Sequence, residues 1–205
     1  MTMLIYSLDI SRTDMNRLVV IFVEGDTEVE FYKKLVRYYR TQNGDRLSCR
    51  VEYGNVKGVG NYQSKAVRIF QKSIIPKYPN CEYHAFLCYD SDVFDLTRKP
   101  QVDWNSVVKA LKQAGAKKVG QVKARQSIED WFLYDKTGLR KFLQLPKNFQ
   151  MNGYSGQKGI EELFRQARRT YIKGRACKGL VDALDMSVIV KGISSEIQKL
   201  ANELI

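Results

Sequence analysis

Two short apolar runs in this sequence are each followed at once by acidic residues. Glu24 follows the first run, with Glu28 one helical turn later, and Asp90 and Asp92 follow the second run. Ligands bind just outside the carboxyl ends of the strands in a parallel α/β sheet, so Glu24, Asp90 and Asp92 are expected to converge if the runs are neighbouring strands. Converging carboxylates repel one another unless a cation lies between them, and sites built from oxygen ligands suit Mg²⁺ or Mn²⁺.

Two further carboxylates have competing interpretations. Glu28 begins a predicted helix and either compensates the helix dipole or reaches the same cation as Glu24. Glu129 lies at the start of the helix after the fourth predicted strand, beside Asp130, which is explained as the capping partner of Ser127. Because no capping role explains Glu129, we predict that it is a further metal ligand.

The chain is strongly basic, with 34 Lys and Arg against 22 Asp and Glu and a net charge of +12. Such an excess favours polyanionic partners such as DNA, RNA or an anionic membrane surface. Residues 165–178 contain no carboxylate and are predicted to contact a phosphate backbone, although a solvated helix face is the simpler alternative. Tyr171, within this stretch, is expected to stack on a base. The basic residues of the stretch are Arg165, Arg168, Arg169, Lys173, Arg175 and Lys178.

Cysteine and histidine usage argues against several other classes of protein. The four cysteines form no Cys-x-x-Cys pair and His84 is the only histidine, so a zinc site of ordinary spacing is not expected. Nothing indicates a disulfide framework, and a cytoplasmic location is therefore expected. The first 17 residues do not resemble a signal peptide, and no stretch approaches the roughly 20 apolar residues of a membrane span.

Strands and helices are predicted to alternate over the first two thirds of the chain. Apolar, β-branched runs predict strands, and stripes of apolar residues at helical spacing predict the helices between them. Thr27 and Glu30 fit a capping box at the start of the first helix, and the second is expected to end before Pro76. This order is typical of a parallel sheet flanked by helices. The strands are predicted at 17–23, 48–53, 84–89 and 118–124, and the helices at 27–39, 62–75, 104–114 and from 127.

Strand signals fade after residue 137, and the remainder is predicted to be helical. The glycine-containing segment 148–159 is the best candidate for a linker. We therefore predict an α/β domain at residues 1–147 and a helical C-terminal appendage at residues 148–205. The predicted C-terminal helices span 139–145, 159–172, 180–190 and 193–204.

The acidic motifs together resemble a known family. Residues 19–28, with Glu24 and Glu28 at the end, and the later Tyr-Asp-Ser-Asp of residues 89–92 are similar to the Toprim domain of topoisomerases, bacterial primases and nucleases of the OLD class. Residues 127–133 are similar, with different spacing, to a segment of small stand-alone Toprim proteins of the OLD-like and RloB-like group. The resemblance covers residues 17–134.

The resemblance implies a Toprim-like fold and Mg²⁺-dependent hydrolysis of phosphodiester bonds in DNA or RNA. Glu24 is expected to bind metal or to act as general base, and Lys123 or Arg125 to contact the scissile phosphate as its charge develops. For the two basic residues, ordinary surface charge is the alternative. The resemblance also implies antiphage defence beside an ATPase partner, and it is compatible with a homo-oligomer. The implied metal ligands are Glu24, Glu28, Asp90, Asp92 and Glu129.

Two other functions compete with a nuclease. The chain is alternatively a nucleic-acid-binding or regulatory subunit whose Toprim site is inactive or controlled by a partner. A phosphatase or phosphotransferase of the Asp-x-Asp type is less compatible, because those enzymes carry the motif after the first strand. Here a glutamate, Glu24, follows the first strand, and Asp90 follows the third.

Overall fold

Four parallel strands form one sheet in the computed structural model, which describes residues 16–91, 102–175, 177 and 179–205. The order across the sheet is β2-β1-β3-β4, so that β1 and β3 are its two central strands. The prediction of an α/β fold with a parallel sheet flanked by helices is confirmed. The strands are β1 (Arg17–Val23), β2 (Arg50–Asn55), β3 (Glu82–Asp90) and β4 (Ala116–Ala124).

Eight helical segments are assigned within the described residues. None of them is both long and apolar enough to cross a membrane. The second segment combines short α-helical, 3₁₀ and π turns in one continuous stretch. The segments are α1 (Asp26–Gln42), α2 (59–77), α3 (Trp104–Gln113), α4 (Ile128–Phe132), α5 (Lys136–Phe142), α6 (Gly156–Gln166), α7 (Leu180–Ala183) and α8 (Met186–Leu204).

The alternation of β1 side chains explains why helices cover both faces of the sheet. Val19 and Ile21 point into a buried cluster shared with α1, α4 and the C-terminal helices. Val20 and Phe22 point into a second cluster, shared with α2 and α3. A strand that is apolar on both faces is the expected form for a central strand of a parallel sheet. Parallel pairing between these two clusters places the carboxyl ends of β1 and β3 side by side.

Two predicted helix boundaries are wrong. The first helix begins at Asp26 after a Gly25 cap, and the Thr27 hydroxyl donates to the carbonyl of Arg175 at 2.8 Å instead of capping the helix with Glu30. The second helix continues through Pro76. Pro76 lies in the first turn of the final α-helical piece, which follows a π turn. Proline is tolerated there because the backbone N–H groups of a first helical turn have no partner within the helix.

The C-terminal third departs further from the predicted pattern. Helix α6 ends at Gln166, and Arg168 takes a positive φ of 56°. The helix predicted to run to residue 172 therefore stops early, and residues 171–175 form a non-helical segment, called the strap below. The predicted helix pair 180–190 and 193–204 is instead a short α7 and a single long α8.

The C-terminal helices share a core with the sheet. Leu200 of α8 lies in the same buried cluster as Val19 of β1. The domain boundary predicted at residue 148 stays a prediction. The end of α8 is also held to the sheet by polar contacts. His84 Nδ1 of β3 lies 2.5 Å from Oε2 of Glu203, whose other oxygen pairs with Lys118. The sequence had offered no role for the single histidine.

Candidate active site at the carboxyl edge of the sheet

The structure brings Glu24 and Asp90 together at the ends of the central strands. The strands pair in parallel with Phe22 opposite Leu87, which places the residues that follow at one edge. The backbone amide of Asp90 donates to Oε1 of Glu24 at 3.1 Å. Asp90 is 4% exposed, so this is a buried acidic site.

Helices α1 and α4 add two more buried carboxylates. Glu28, in the first turn of α1, is 7% exposed, and Glu129 in α4 is 1% exposed. Oε1 of Glu129 accepts a hydrogen bond of 2.8 Å from the Tyr171 hydroxyl. Oε2 of Glu28 and Oε2 of Glu129 are buried and have no hydrogen-bond partner among the described residues. Buried polar atoms of this kind call for an explanation such as an ion.

The position of Glu129 follows from the capping of α4. Ser127 and Asp130 form the predicted capping box, which confirms that interpretation of Asp130. The amide of Ile128 donates to Oδ1 of Asp90 at 3.0 Å, so the start of α4 is fastened to the end of β3. The cap and this bond together turn Glu129 inward.

Burial and mutual repulsion disfavour the ionised forms of two of these groups. Burial, followed by the negative charge of Asp90, raises the pKa of Glu24 to about 8. The same two causes raise the pKa of Glu28 to about 7. In both cases the positive charge of Lys173 opposes the rise without cancelling it. Strongly perturbed acids in a cleft are a mark of functional sites.

The residues present suit a hard cation, although they do not form a ready coordination shell. Within the described ranges, no three His, Cys, Asp or Glu side chains are already arranged to hold a metal ion. A cavity of about 10 Å³, lined by Glu24, Glu28 and Asp90 among others, has room for about one water-sized particle. All-oxygen donors with orphaned buried atoms are the donor set that Mg²⁺ and Mn²⁺ take. Asp92 lies outside the described residues.

The strap brings a cation into this acidic site. Nζ of Lys173 lies 2.9 Å from Oδ2 of Asp90. The strap is held in place by its backbone, since the carbonyl of Gly174 accepts from the amide of Asp26 at 3.0 Å and that of Arg175 from Thr27. Gly25 permits this approach, because a Cβ there would lie 2.8 Å from Cα of Gly174.

A groove of about 360 Å³ leads to the carboxylates from solvent. Glu24 and Glu28 line it, together with three basic residues, namely Lys57, Lys173 and Arg175. Lys57 had no predicted role in the site, and it lies shortly after β2. It takes a positive φ of 61°, and its ammonium pairs with Asp26 at 2.6 Å.

The other predicted basic residues are not among the described residues that line this groove. Lys123 is exposed on β4 opposite Tyr89, at the same edge of the sheet as Asp90, and Arg125 lines a separate groove with Trp131 and Glu196. Arg165 pairs with Glu162, and Arg169 stacks on the ring of Phe142 at 4.3 Å. Arg168 is exposed at the turn after α6, and the side chain of Lys178 lies outside the described residues. Among the described basic residues of the stretch 165–178, Lys173 and Arg175 line the groove.

Tyr171 is placed differently from its predicted role. It is 6% exposed and packs against Phe164, with ring centroids 5.2 Å apart, while its hydroxyl donates to Glu129. The expectation that Tyr171 stacks on a nucleic-acid base is therefore wrong for this conformation. Because α6 ends at Gln166, the chain after it turns back, and the Tyr171 ring packs into the core.

The comparisons with known proteins give no further guide to the site. The chain matches none of the protein-family models, none of the curated proteins and none of the solved structures with which it was compared.

Proposed function

We propose that this chain is a metal-dependent nuclease of the Toprim kind, which hydrolyses phosphodiester bonds in DNA or RNA. The observation that carries the proposal is the convergence of Glu24 and Asp90 at the ends of adjacent parallel strands, joined by a 3.1 Å hydrogen bond. Glu28 and Glu129 are buried beside them, each with an oxygen that has no hydrogen-bond partner. Carboxylates at the carboxyl edge of a parallel sheet occupy the usual position of an α/β active site.

The charge distribution supports a phosphate-containing substrate. The chain as a whole carries a net charge of +12, and Lys57, Lys173 and Arg175 line the same groove as the carboxylates. A basic body attracts a polyanion, and basic groups at the groove hold it near the carboxylates. An acidic substrate would be repelled by the carboxylates without a divalent cation.

Glu24, Glu28, Asp90 and Glu129 are the described residues that would hold Mg²⁺ or Mn²⁺. A bound ion of this kind supplies Lewis-acid stabilisation of phosphoryl oxygens and lowers the pKa of coordinated water. Without the ion, Glu24 holds a proton at neutral pH, because its pKa is about 8. Tyr171 fixes Glu129, and the amide of Ile128 fixes Asp90, so both carboxylates are oriented before any ligand arrives.

The test is cleavage of a panel of plasmid DNA, single-stranded DNA, transfer RNA and ribosomal RNA. The purified chain is incubated with each substrate in Mg²⁺, in Mn²⁺ or in chelator. We expect cleavage of at least one class in metal and none in chelator. Cleavage that continues in chelator, or no cleavage of any substrate, would contradict the proposal.

A second candidate function is a nucleic-acid-binding or regulatory subunit that is controlled by a partner, such as an ATPase. The observation that favours it is the ion pair between Lys173 and Asp90, since an internal cation already occupies part of the acidic site. Such a subunit would bind nucleic acid in a salt-dependent way and would bind equally well with or without metal. Filter binding in chelator and in Mn²⁺, run beside the cleavage panel, separates the two functions.

A further inference from the structure

Lys173 pairs with the oxygen of Asp90 that does not accept from the Ile128 amide. Oδ1 of Asp90 already accepts from the amide of Ile128 at 3.0 Å, whereas Oδ2 lies 2.9 Å from the Lys173 ammonium. The Asp90 side chain is 5% exposed and that of Lys173 is 26% exposed. A divalent ion that approached Asp90 from the groove would therefore meet the ammonium at Oδ2.

The strap holds Lys173 at this position through contacts that do not involve its own side chain. The carbonyl of Gly174 accepts from the amide of Asp26, and that of Arg175 accepts from the Thr27 hydroxyl. On the other side of Lys173, the buried Tyr171 donates to Glu129. The backbone on both sides of Lys173 is thus fixed, while its side chain is 26% exposed and borders the groove.

One ammonium does not satisfy the cluster. Oε2 of Glu28 and Oε2 of Glu129 are each more than nine-tenths buried, and within the described part of the chain neither has a hydrogen-bond partner. A divalent ion carries twice the charge of the ammonium and takes several oxygen ligands at once. The acidic site therefore still offers carboxylate oxygens of Glu28 and Glu129 to such an ion while Lys173 is paired with Asp90.

The geometry points to Lys173 as an internal competitor of the divalent ion. In the metal-free protein its ammonium neutralises Asp90, and when the ion binds, the Lys173 side chain leaves Asp90 and turns into the groove while the strap backbone stays in place. This inference rests on the proposed metal site. This competition makes the apparent metal affinity of the protein weaker than that of the same carboxylates without Lys173.

The test compares Mn²⁺ binding to the wild-type chain, Lys173→Met and Lys57→Met by titration calorimetry. Both variants remove one positive charge from the same groove, but Lys57 pairs with the exposed Asp26 and not with Asp90. We expect Lys173→Met to bind Mn²⁺ about tenfold more tightly than wild type. Lys57→Met is expected to stay within about threefold of wild type, because exposed charges are screened.

The outcomes separate this inference from the proposed function. Mn²⁺ binding to Lys173→Met that is no tighter than binding to Lys57→Met would overturn the competition while leaving the metal site intact. A failure of all three proteins to bind Mn²⁺ would overturn the metal site itself and the competition with it.

A measurement on the wild-type chain covers the case in which Lys173→Met does not fold. The rate of acetylation of Lys173 is measured by mass spectrometry with and without Mn²⁺, with Lys57 as the internal reference. We expect Mn²⁺ to raise the reactivity of Lys173 relative to Lys57, because the ammonium is released from Asp90. Unchanged or lowered relative reactivity in the presence of bound Mn²⁺ would overturn the inference.

Discussion

The backbone amide of Asp90 donates a hydrogen bond of 3.1 Å to Oε1 of Glu24, which fastens the end of β3 to the turn after β1. This bond favours the ionised form of Glu24, yet burial and the charge of Asp90 outweigh it and raise the pKa to about 8. Ionised Glu24 in this site therefore lowers the free energy of unfolding of the metal-free protein. This loss makes the stability of the protein depend on pH.

Replacing Glu24 by glutamine is expected to stabilise the metal-free protein at high pH. At pH values below the ordinary carboxyl value of 4.5, the folded and unfolded chains both hold the proton, and Glu24 carries no penalty. As the pH rises from 4.5 to about 8, the unfolded chain ionises first, so stability is lost. Thermal unfolding in chelator should show Glu24→Gln more stable than wild type by about 1–3 kcal/mol at pH 9, and nearly equal at pH 5.

The matched control for this change is Asp26→Asn. Asp26 lies at the same edge, but its side chain is 50% exposed and pairs with Lys57. This control is expected to change the unfolding free energy by less than about 1 kcal/mol at pH 9. A Glu24→Gln effect of the same size at both pH values would contradict the assignment of a raised pKa.

Metal binding is expected to release protons near neutral pH. Glu24 and Glu28, with pKa values of about 8 and about 7, hold protons that a bound cation displaces. Titration with Mn²⁺ at pH 7 in two buffers of different ionisation enthalpy should give different heats, corresponding to roughly one proton per ion. The apparent affinity should also rise from pH 6 to pH 9. Identical heats in the two buffers would argue against protonated carboxylates as the ligands.

Gly25→Ala is expected to displace the strap. A Cβ at this position would lie 2.8 Å from both Cα of Gly174 and Oε2 of Glu28, and the Gly174 atom is backbone, which cannot move aside alone. We expect a loss of about 1–3 kcal/mol in the free energy of urea unfolding, together with a changed Mn²⁺ affinity. Gly60→Ala is the control, because nothing lies within 4 Å of its Cβ, and it should stay within about 0.5 kcal/mol of wild type. Equal effects of the two changes would show that the strap does not depend on Gly25.

Tyr171→Phe tests the hydroxyl that orients Glu129. Without the 2.8 Å bond, Oε1 of Glu129 loses its donor in a site where Oε2 already has none. We expect a loss of about 1–3 kcal/mol in urea unfolding of the metal-free protein, partly restored by Mn²⁺. Tyr134→Phe removes a hydroxyl from a ring that is 50% exposed and should change stability by less than about 0.5 kcal/mol. If the Tyr171→Phe protein is as stable as the Tyr134→Phe control, the Tyr171 hydroxyl does not orient Glu129.

The carboxylate positions were predictable because they depend on local and simple rules. The apolar runs before Glu24 and before Asp90 favoured buried strands, and neighbouring parallel strands end at one edge, as β1 and β3 do. Glu129 followed from the Ser127 and Asp130 cap. Each of these predictions used residues close in sequence to the carboxylate that it concerned.

The strap was not predictable by the same rules. Its position depends on contacts between residues about 150 apart in sequence, such as the bond from Thr27 to the carbonyl of Arg175. The amphipathic pattern continued past Gln166, so the early end of α6 at the positive φ of Arg168 gave no signal. For this reason Tyr171 was expected on the surface and Lys173 on a helix face.

The most direct test of the central claim compares Asp90→Asn with Asp26→Asn in Mn²⁺-dependent nucleic-acid cleavage. Both changes remove one carboxylate charge at the same edge of the sheet, but Asp90 lies in the buried cluster and Asp26 pairs with Lys57 at the surface. With both proteins shown to be folded by thermal unfolding, we predict that Asp90→Asn cleaves at least about 100-fold more slowly than wild type, while Asp26→Asn stays within about threefold. Cleavage by Asp90→Asn at the wild-type rate would contradict a metal-dependent nuclease site built on the ends of β1 and β3.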